Sequence, residues 1–249
     1  MPAKLFFPEI WGHRGCRGPG NPPENTLAAF REAVVQGANG VEFDVMRTAD
    51  HQVVVFHDEK LDKLTNGRGR LKAHTLAELK KLRVMGSDEQ IPTLQEVLAA
   101  LNSDDRFILN IEIKDVDAAQ GTAEILKAAL KLGYIPENFI VSSFARNILA
   151  SIAAMMPGIR ISALYDRDEQ IEALPFIPYS MHFQLERLDE ALVAEIRGAG
   201  SRPVAWTSRE KLPEKNKEIW RIREFDLPII TDYPREMRLA LGKLPGGVT

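Results

Sequence analysis

Two short segments carry more charge than a buried strand tolerates. "VEFDV" places Glu42 and Asp44 two residues apart, and "NIEIK" does the same for Glu112 and Lys114. Residues i and i+2 of a strand share a face, so each pair points the same way. In an all-parallel sheet both faces are covered, and such strands read as nearly uniform apolar runs. An unpaired buried carboxylate costs on the order of 5 kcal/mol or more, which direct bonding to a hard cation offsets. Three inward carboxylates without cysteine or clustered histidine ligands point to Mg²⁺ or Ca²⁺ rather than Zn²⁺. The competing reading of Glu42, Asp44, Glu112, Lys114 and Arg14 is a structural ion-pair network, which also shifts titrations without any function.

Two histidines end apolar runs, His13 in "IWGH" and His57 in "QVVVFH". Beside an oxygen-ligated cation they make an acid/base pair, one accepting a proton while the other supplies one to a leaving group. His51, in the turn "TADHQ", and His74 read as solvated, and His182 reads as a bland residue rather than one lining a mouth. Arg14 offers a planar fork suited to phosphate oxygens, and Gly12, Gly15 and Gly18 would let backbone amides approach an anion. Cys16, the one cysteine, has nothing nearby in sequence to specify a thiolate and reads as incidental. Trp206 would form a flat wall for an apolar part of a substrate.

These side chains need a scaffold that gathers strand ends. Candidate strands are "IWGH", 40–46, 52–57, 106–114, 139–144, 159–165, 179–184, 202–208 and 227–231. Helical patterns stand between most of them. In "NTLAAFREAVVQG", Asn25 is the expected N-cap, Leu27, Phe30, Ala33 and Val34 fall at helical spacing, and Gly37 is the stop. "AQGTAEILKAALKLG", "RNILASIAAMMPG" and "DEALVAEIRGAG" repeat the pattern. About eight strand–helix units in 249 residues favour a closed TIM (β/α)8 barrel over an open sheet. Function then belongs at the C-terminal strand ends. Residues 58–92, with the turn-rich "TNGRGR", a helical pattern over Thr75–Leu82 and no clear core strand, read as an insertion over the barrel mouth. No repeat, low-complexity tract or linker divides the chain, so one domain is expected over residues 1–249.

Composition narrows the partners. A net charge of −3 and a pI near 6.0 supply no basic field for nucleic acid or an anionic membrane, so a small molecule is the expected partner. The opening "MPAKLFFPEI" is too short in its apolar part for a signal peptide, and no run of about 18 apolar residues would span a membrane. A cytoplasmic location follows as the expectation, and one cysteine excludes an internal disulfide.

Taken in order, "GHRG", "PENT", "EFDV", "VFHD", "IPTLQEVL", "IEIK", "SSF", "WTS" and "IITDYP" resemble the glycerophosphodiester phosphodiesterase family from Gly12 to Pro234. The resemblance implies a TIM barrel that hydrolyses glycerophosphodiesters to sn-glycerol 3-phosphate and an alcohol with a divalent cation. It also implies His13 and His57 as the acid/base pair, Arg14 as a phosphate contact, and Glu42, Asp44 and Glu112 as metal ligands. Lys114 would touch phosphate or a metal-bound oxygen. The chain departs from the family pattern at "TSRE" after Trp206, at "REFDLPIITDYP", where a glycine-containing turn is usual, and at His51, where glycine is common. Two other functions remain open at this point. One is a barrel lyase or aldolase using Lys114 as a Schiff-base amine, the other a non-catalytic barrel binding phosphorylated metabolites.

Overall fold

All nine apolar runs become strands, but only eight of them close the barrel. A computed structural model of the protein describes residues 8–101, 106–166, 169, 171, 174–207, 213 and 216–243. The strands are β1 (Ile10–His13), β2 (Gly40–Arg47), β3 (Val53–Val55), β4 (Ile108–Ile113), β5 (Phe139–Ser143), β6 (Arg160–Leu164), β7 (Ser180–Gln184), β8 (Arg202–Trp206) and β9 (Ile229–Thr231). Parallel pairing runs β1, β2, β4, β5, β6, β7, β8, β9 and returns to β1, closing the TIM barrel that the alternating pattern predicts.

The strand over 52–57 requires a correction. β3 pairs antiparallel with the far end of β2, Val45 opposite Val55 and Arg47 opposite Val53, so it lies outside the barrel. Periodicity cannot distinguish a barrel strand from a hairpin arm of the same composition. The "TADHQ" turn is what folds β3 back: Thr48 N donates to Gln52 O, and His51 adopts φ +63°. Glycine adopts that left-handed backbone without penalty, and here a histidine holds it.

The excursion at the mouth therefore starts at the end of β2 and runs to α3 (Leu94–Leu101). It has an apolar cluster of its own, Met46, Val54, Phe56, Leu61, Leu71, Leu79, Val84 and Ile91, separate from the barrel core. Its helix α2 is a single turn, Leu76–Leu79, shorter than the pattern over Thr75–Leu82 suggests. A reciprocal capping box of Thr75 and Glu78 starts it.

Around the barrel, α1 (Leu27–Val35) buries Ala29, Phe30 and Ala33, while Val34 is exposed. Its N-cap is Thr26, whose Oγ1 accepts from Ala29 N, and not Asn25. α4 (Val116–Lys131) buries Ala118, Ala119, Thr122, Ala123, Leu126 and Ala129. α5 (Arg146–Met155), α6 (Glu190–Gly198), α7 (Trp220–Glu224) and α8 (Pro234–Lys243) complete the ring. Among the described residues no helix is long and apolar enough to cross a membrane.

Within the barrel a polar layer replaces part of the usual apolar filling. Ser162 and Ser180 share a hydrogen bond of 2.5 Å, and His182 Nε2 lies 2.9 Å from Ser180 Oγ. Burial lowers the His182 pKa to about 3, with Arg202 assisting, so this imidazole is neutral and structural, as its bland reading anticipates.

Candidate active site

The barrel register brings the charged strand positions together. β2 and β4 pair with Asp44 opposite Glu112, and β1 pairs with β2 so that His13 stands opposite Glu42. Oxygens of Glu42, Asp44 and Glu112 lie within 4.8 Å of one another, and all three side chains are buried. Above them a cavity of about 570 Å³ is lined by His13, Arg14, His57, Lys114 and Trp206 together with Glu42 and Glu112.

His13 projects from the C-terminal end of β1. His57 arrives differently, two residues beyond β3, and is aimed at the site because Phe56 N donates to Asp44 O. Each imidazole is held on its Nδ1 side by a carboxylate at 2.6 Å, His13 by Asp232 and His57 by Asp58. Such a carboxylate fixes the tautomer with Nδ1 protonated and leaves Nε2 for chemistry. Lys114 Nζ lies 2.8 Å from Glu112 Oε1 and 3.7 Å from Asp44 Oδ1. Arg14 is committed to two carboxylates, Nη1 to Glu24 Oε1 at 2.5 Å and Nε to Asp44 Oδ2 at 3.2 Å.

Gly12 and Gly15 of the opening loop serve the packing of the loop itself. Gly15 N donates to Gly12 O, and Arg14 N donates to Glu42 Oε2. A Cβ on Gly12 would lie 2.0 Å from Gly15 O, and one on Gly15 would lie 2.7 Å from the Ala29 backbone. The loop needs these glycines for packing against itself and α1. Cys16 is buried beneath it, its Sγ 3.5 Å from Ala29 O, and burial pushes the thiol up to about 12, so it carries no thiolate.

Several partners carry no distinct signal in the sequence. Asn25, at φ +58°, donates its Nδ2 to Asp44 Oδ2 at 3.0 Å, and Glu24 anchors both Arg14 and Arg17. Phe144, Leu164, Asp166, Thr207 and Ile230 complete the cavity lining. Asp232 and Asp58 stand in "IITDYP" and "VFHD", where their positions beside strand ends are the available clue. The "TSRE" departure lies outside the described residues from Ser208 onward.

Electrostatics follow from crowding like charges out of water. Burial, with Asp44 and Glu42's other neighbour Glu112 adding repulsion, holds Glu42 well above the usual carboxylate range. Burial and Asp44 raise Glu112 to about 7, against the pull of Lys114. Burial pushes Asp44 up as well, but Arg14, His57 and Lys114 outweigh it and its pKa is lowered. Burial works against the Lys114 charge, yet Glu112 and Asp44 dominate and raise its pKa. Desolvation lowers both His13 and His57, although Asp232 opposes this at His13 and Asp44 at His57.

A cluster of two reluctant carboxylates and one ionised one suits a divalent cation, because a positive ion replaces the protons that repulsion otherwise demands. Mg²⁺ added to stripped protein at pH 6 is therefore expected to release protons, and its apparent affinity to rise with pH through about 7, where Glu112 titrates. Titration calorimetry in two buffers of different ionisation enthalpy reads this directly. Identical heats in both would contradict it.

A model of the glycerophosphoryl diester phosphodiesterase family matches residues 13–236. A glycerophosphodiester phosphodiesterase of Caldanaerobacter subterraneus subsp. tengcongensis is 37% identical over 212 residues, covering 81% of this chain and 86% of that relative. The crystal structure of glycerophosphodiester phosphodiesterase from Thermotoga maritima superposes with a TM-score of 0.75 at 32% identity, over 95% of this chain and 99% of that one. An Oleispira antarctica phosphodiesterase, solved in complex with the product sn-glycerol-3-phosphate, gives a TM-score of 0.75 at 28% identity over 94% and 96% of the two chains. A match that runs from His13 to Glu236 and agrees with these relatives in both sequence and fold shows that the chain belongs to the glycerophosphoryl diester phosphodiesterase family and is a phosphoric diester hydrolase.

Proposed function

We propose that the protein hydrolyses glycerophosphodiesters to sn-glycerol 3-phosphate and an alcohol. Glu42, Asp44 and Glu112 hold a divalent cation, Mg²⁺ or Ca²⁺, in this reading, and His13 and His57 do the proton transfers. The observation that carries it is the buried carboxylate triad, two of whose members, Glu42 and Glu112, line one cavity with two imidazoles that are each oriented by an aspartate. When bound, the cation polarises the phosphodiester and offsets charge developing on its non-bridging oxygens.

The chain's own groups do the rest. Lys114, kept charged by Glu112 and Asp44, stands at the wall as a phosphate contact. Arg14 adds positive potential there while its fork braces Glu24 and Asp44. His13 and His57 favour the neutral form, so Nε2 of one accepts the proton of the attacking oxygen, either water or a substrate hydroxyl. The other imidazole takes up a proton as the anionic diester arrives and delivers it to the departing alcohol. Trp206 and its apolar neighbours face the non-phosphate part of the substrate.

The charged state of Lys114 argues against the lyase or aldolase alternative, since a Schiff base needs the free amine. We also place the reaction in the cytoplasm, with a small-molecule substrate, no nucleic-acid partner and one domain over the whole chain. Glycerophosphocholine, glycerophosphoethanolamine and glycerophosphoglycerol are each expected to yield glycerol 3-phosphate with Mg²⁺ or Ca²⁺ and to yield none with EDTA. A coupled glycerol 3-phosphate assay measures this. Product formation that EDTA leaves untouched would end the metal reading, and absence of product from all three would end the substrate reading.

A further inference from the structure

The wall of the cavity next round the barrel from β4 is built from the ends of β5 and β6, at Phe144, Leu164 and Asp166, with Lys114 Nζ 5.8 Å from the Phe144 ring centroid where the two sides meet. Strand ends exposed at a mouth are free to splay, yet here one side chain ties both. Arg146 Nη1 donates to Phe144 O at 3.2 Å and to Leu164 O at 3.0 Å, while Nη2 pairs with Glu169 Oε1 at 2.7 Å. Glu169 turns its other oxygen back to Asp166 N at 3.1 Å. Arg187 closes the far side, donating Nη1 to Asp166 O and Nη2 to Glu169 O at 2.9 Å.

The two guanidinium groups also bracket a ring stack. Arg146 lies 4.3 Å from the Tyr165 ring centroid, Tyr165 stacks on Phe183 at 4.6 Å and 4°, and Arg187 lies 4.7 Å from the Phe183 centroid. Each contact of a cation over a ring is individually modest. Together they tie the backbone of Leu164 and Asp166 from two sides. None of these clamp residues is a metal ligand or lies on the histidine side of the cavity.

We propose that Arg146 is a positioning residue for substrate choice: through the carbonyls of Phe144 and Leu164 it sets the wall against which the departing alcohol packs. The inference rests on the glycerophosphodiesterase reading and assigns the two halves of the substrate to two halves of the cavity. The phosphate and glycerol belong to the β1, β2 and β4 side, where Arg14, Lys114 and the triad stand. The alcohol belongs to the β5 and β6 side, where Phe144 and Leu164 offer apolar surface, together with Trp206 of β8. A rigid wall lowers the ordering cost of binding, whereas a loose one must be ordered at each encounter. A lysine keeps a charge over Tyr165 but lacks the fork that reaches three acceptors at once.

The test compares KM for glycerophosphocholine with Ki for sn-glycerol 3-phosphate, which lacks the alcohol, in the Mg²⁺-loaded full-length protein. Arg146→Gln is expected to raise KM by roughly tenfold or more, the scale of a lost apolar contact, while Ki moves by less than about twofold. Arg146→Lys, the milder change for folding, is expected to shift KM in the same direction with a smaller loss of melting temperature. Equal rises in KM and Ki, a loss confined to kcat, or an unchanged KM in both variants would each overturn the assignment. A wild-type protein that releases no glycerol 3-phosphate from any diester would instead overturn the functional reading beneath it.

Discussion

Glu112→Gln is expected to remove most activity, by more than about a hundredfold, while leaving the metal-stripped protein as stable as before or more so. The two halves of this expectation have one origin. Glu112 is buried beside Asp44 with its pKa raised to about 7 from an ordinary 4.5. The native stripped protein therefore binds this proton more tightly than the unfolded chain, and stability falls as pH climbs between those two values. Above that window the ionised group destabilises by about 3 kcal/mol, at 1.36 kcal/mol per pK unit. Glutamine keeps the shape and removes the charge, which relieves the repulsion and deletes a ligand. Lys114 retains Asp44 Oδ1 at 3.7 Å as a partner. Melting curves at pH 8 with EDTA and with excess Mg²⁺ test both halves, because a hundredfold excess over Kd adds about 2.7 kcal/mol only where the site binds. Loss of several kcal/mol in the stripped variant with metal-dependent activity intact would return the carboxylates to a structural ion-pair network.

His13→Ala and His57→Ala should each lower kcat by roughly a hundredfold or more, the usual contribution of a general acid or base, with the far-ultraviolet spectrum unchanged. Neither ring supports the packed layers. Each is partly exposed and is held by a single aspartate, at 2.6 Å. Asp232→Asn should reproduce part of the His13 loss without removing the ring, since an amide no longer selects the tautomer that leaves Nε2 as an acceptor. Burial lowers both histidines below 6.5, so the limb of the kcat/KM profile owed to the base lies on the acid side of that value. Wild-type turnover in His57→Ala would remove that residue from the mechanism.

The barrel is legible in the sequence because its signals are local and repeated: an apolar run, a turn, an amphipathic helix, a glycine stop. Glu42, Asp44 and Glu112 stand out for a related reason, being charged where both faces of a strand are buried. What the pattern does not carry is pairing direction and partnership. "QVVVFH" reads like its neighbours, yet Val55 faces Val45 in an antiparallel hairpin. Asn25 resembles a helix cap, but Thr26 is one residue closer to the first helical amide and Asn25 turns to Asp44 instead. Asp232 lies 219 residues from His13, and their hydrogen bond exists only because β9 closes onto β1. Contacts made by closure have no imprint on either segment alone.

The hairpin and its separate apolar cluster divide the demands placed on different parts of the chain. The eight closing strands pair with one another without β3, so closure of the barrel needs no strand from residues 48–92, although Val53 and Val55 pack in the barrel core. One of the two imidazoles, His57, is presented by that segment. Substitutions in Leu61, Leu71 or Val84 are thus screened through turnover before they are screened through barrel folding. The segment is accordingly a place where evolution can retune or silence the chemistry by altering how firmly His57 is presented, and can do so while inheriting an intact scaffold.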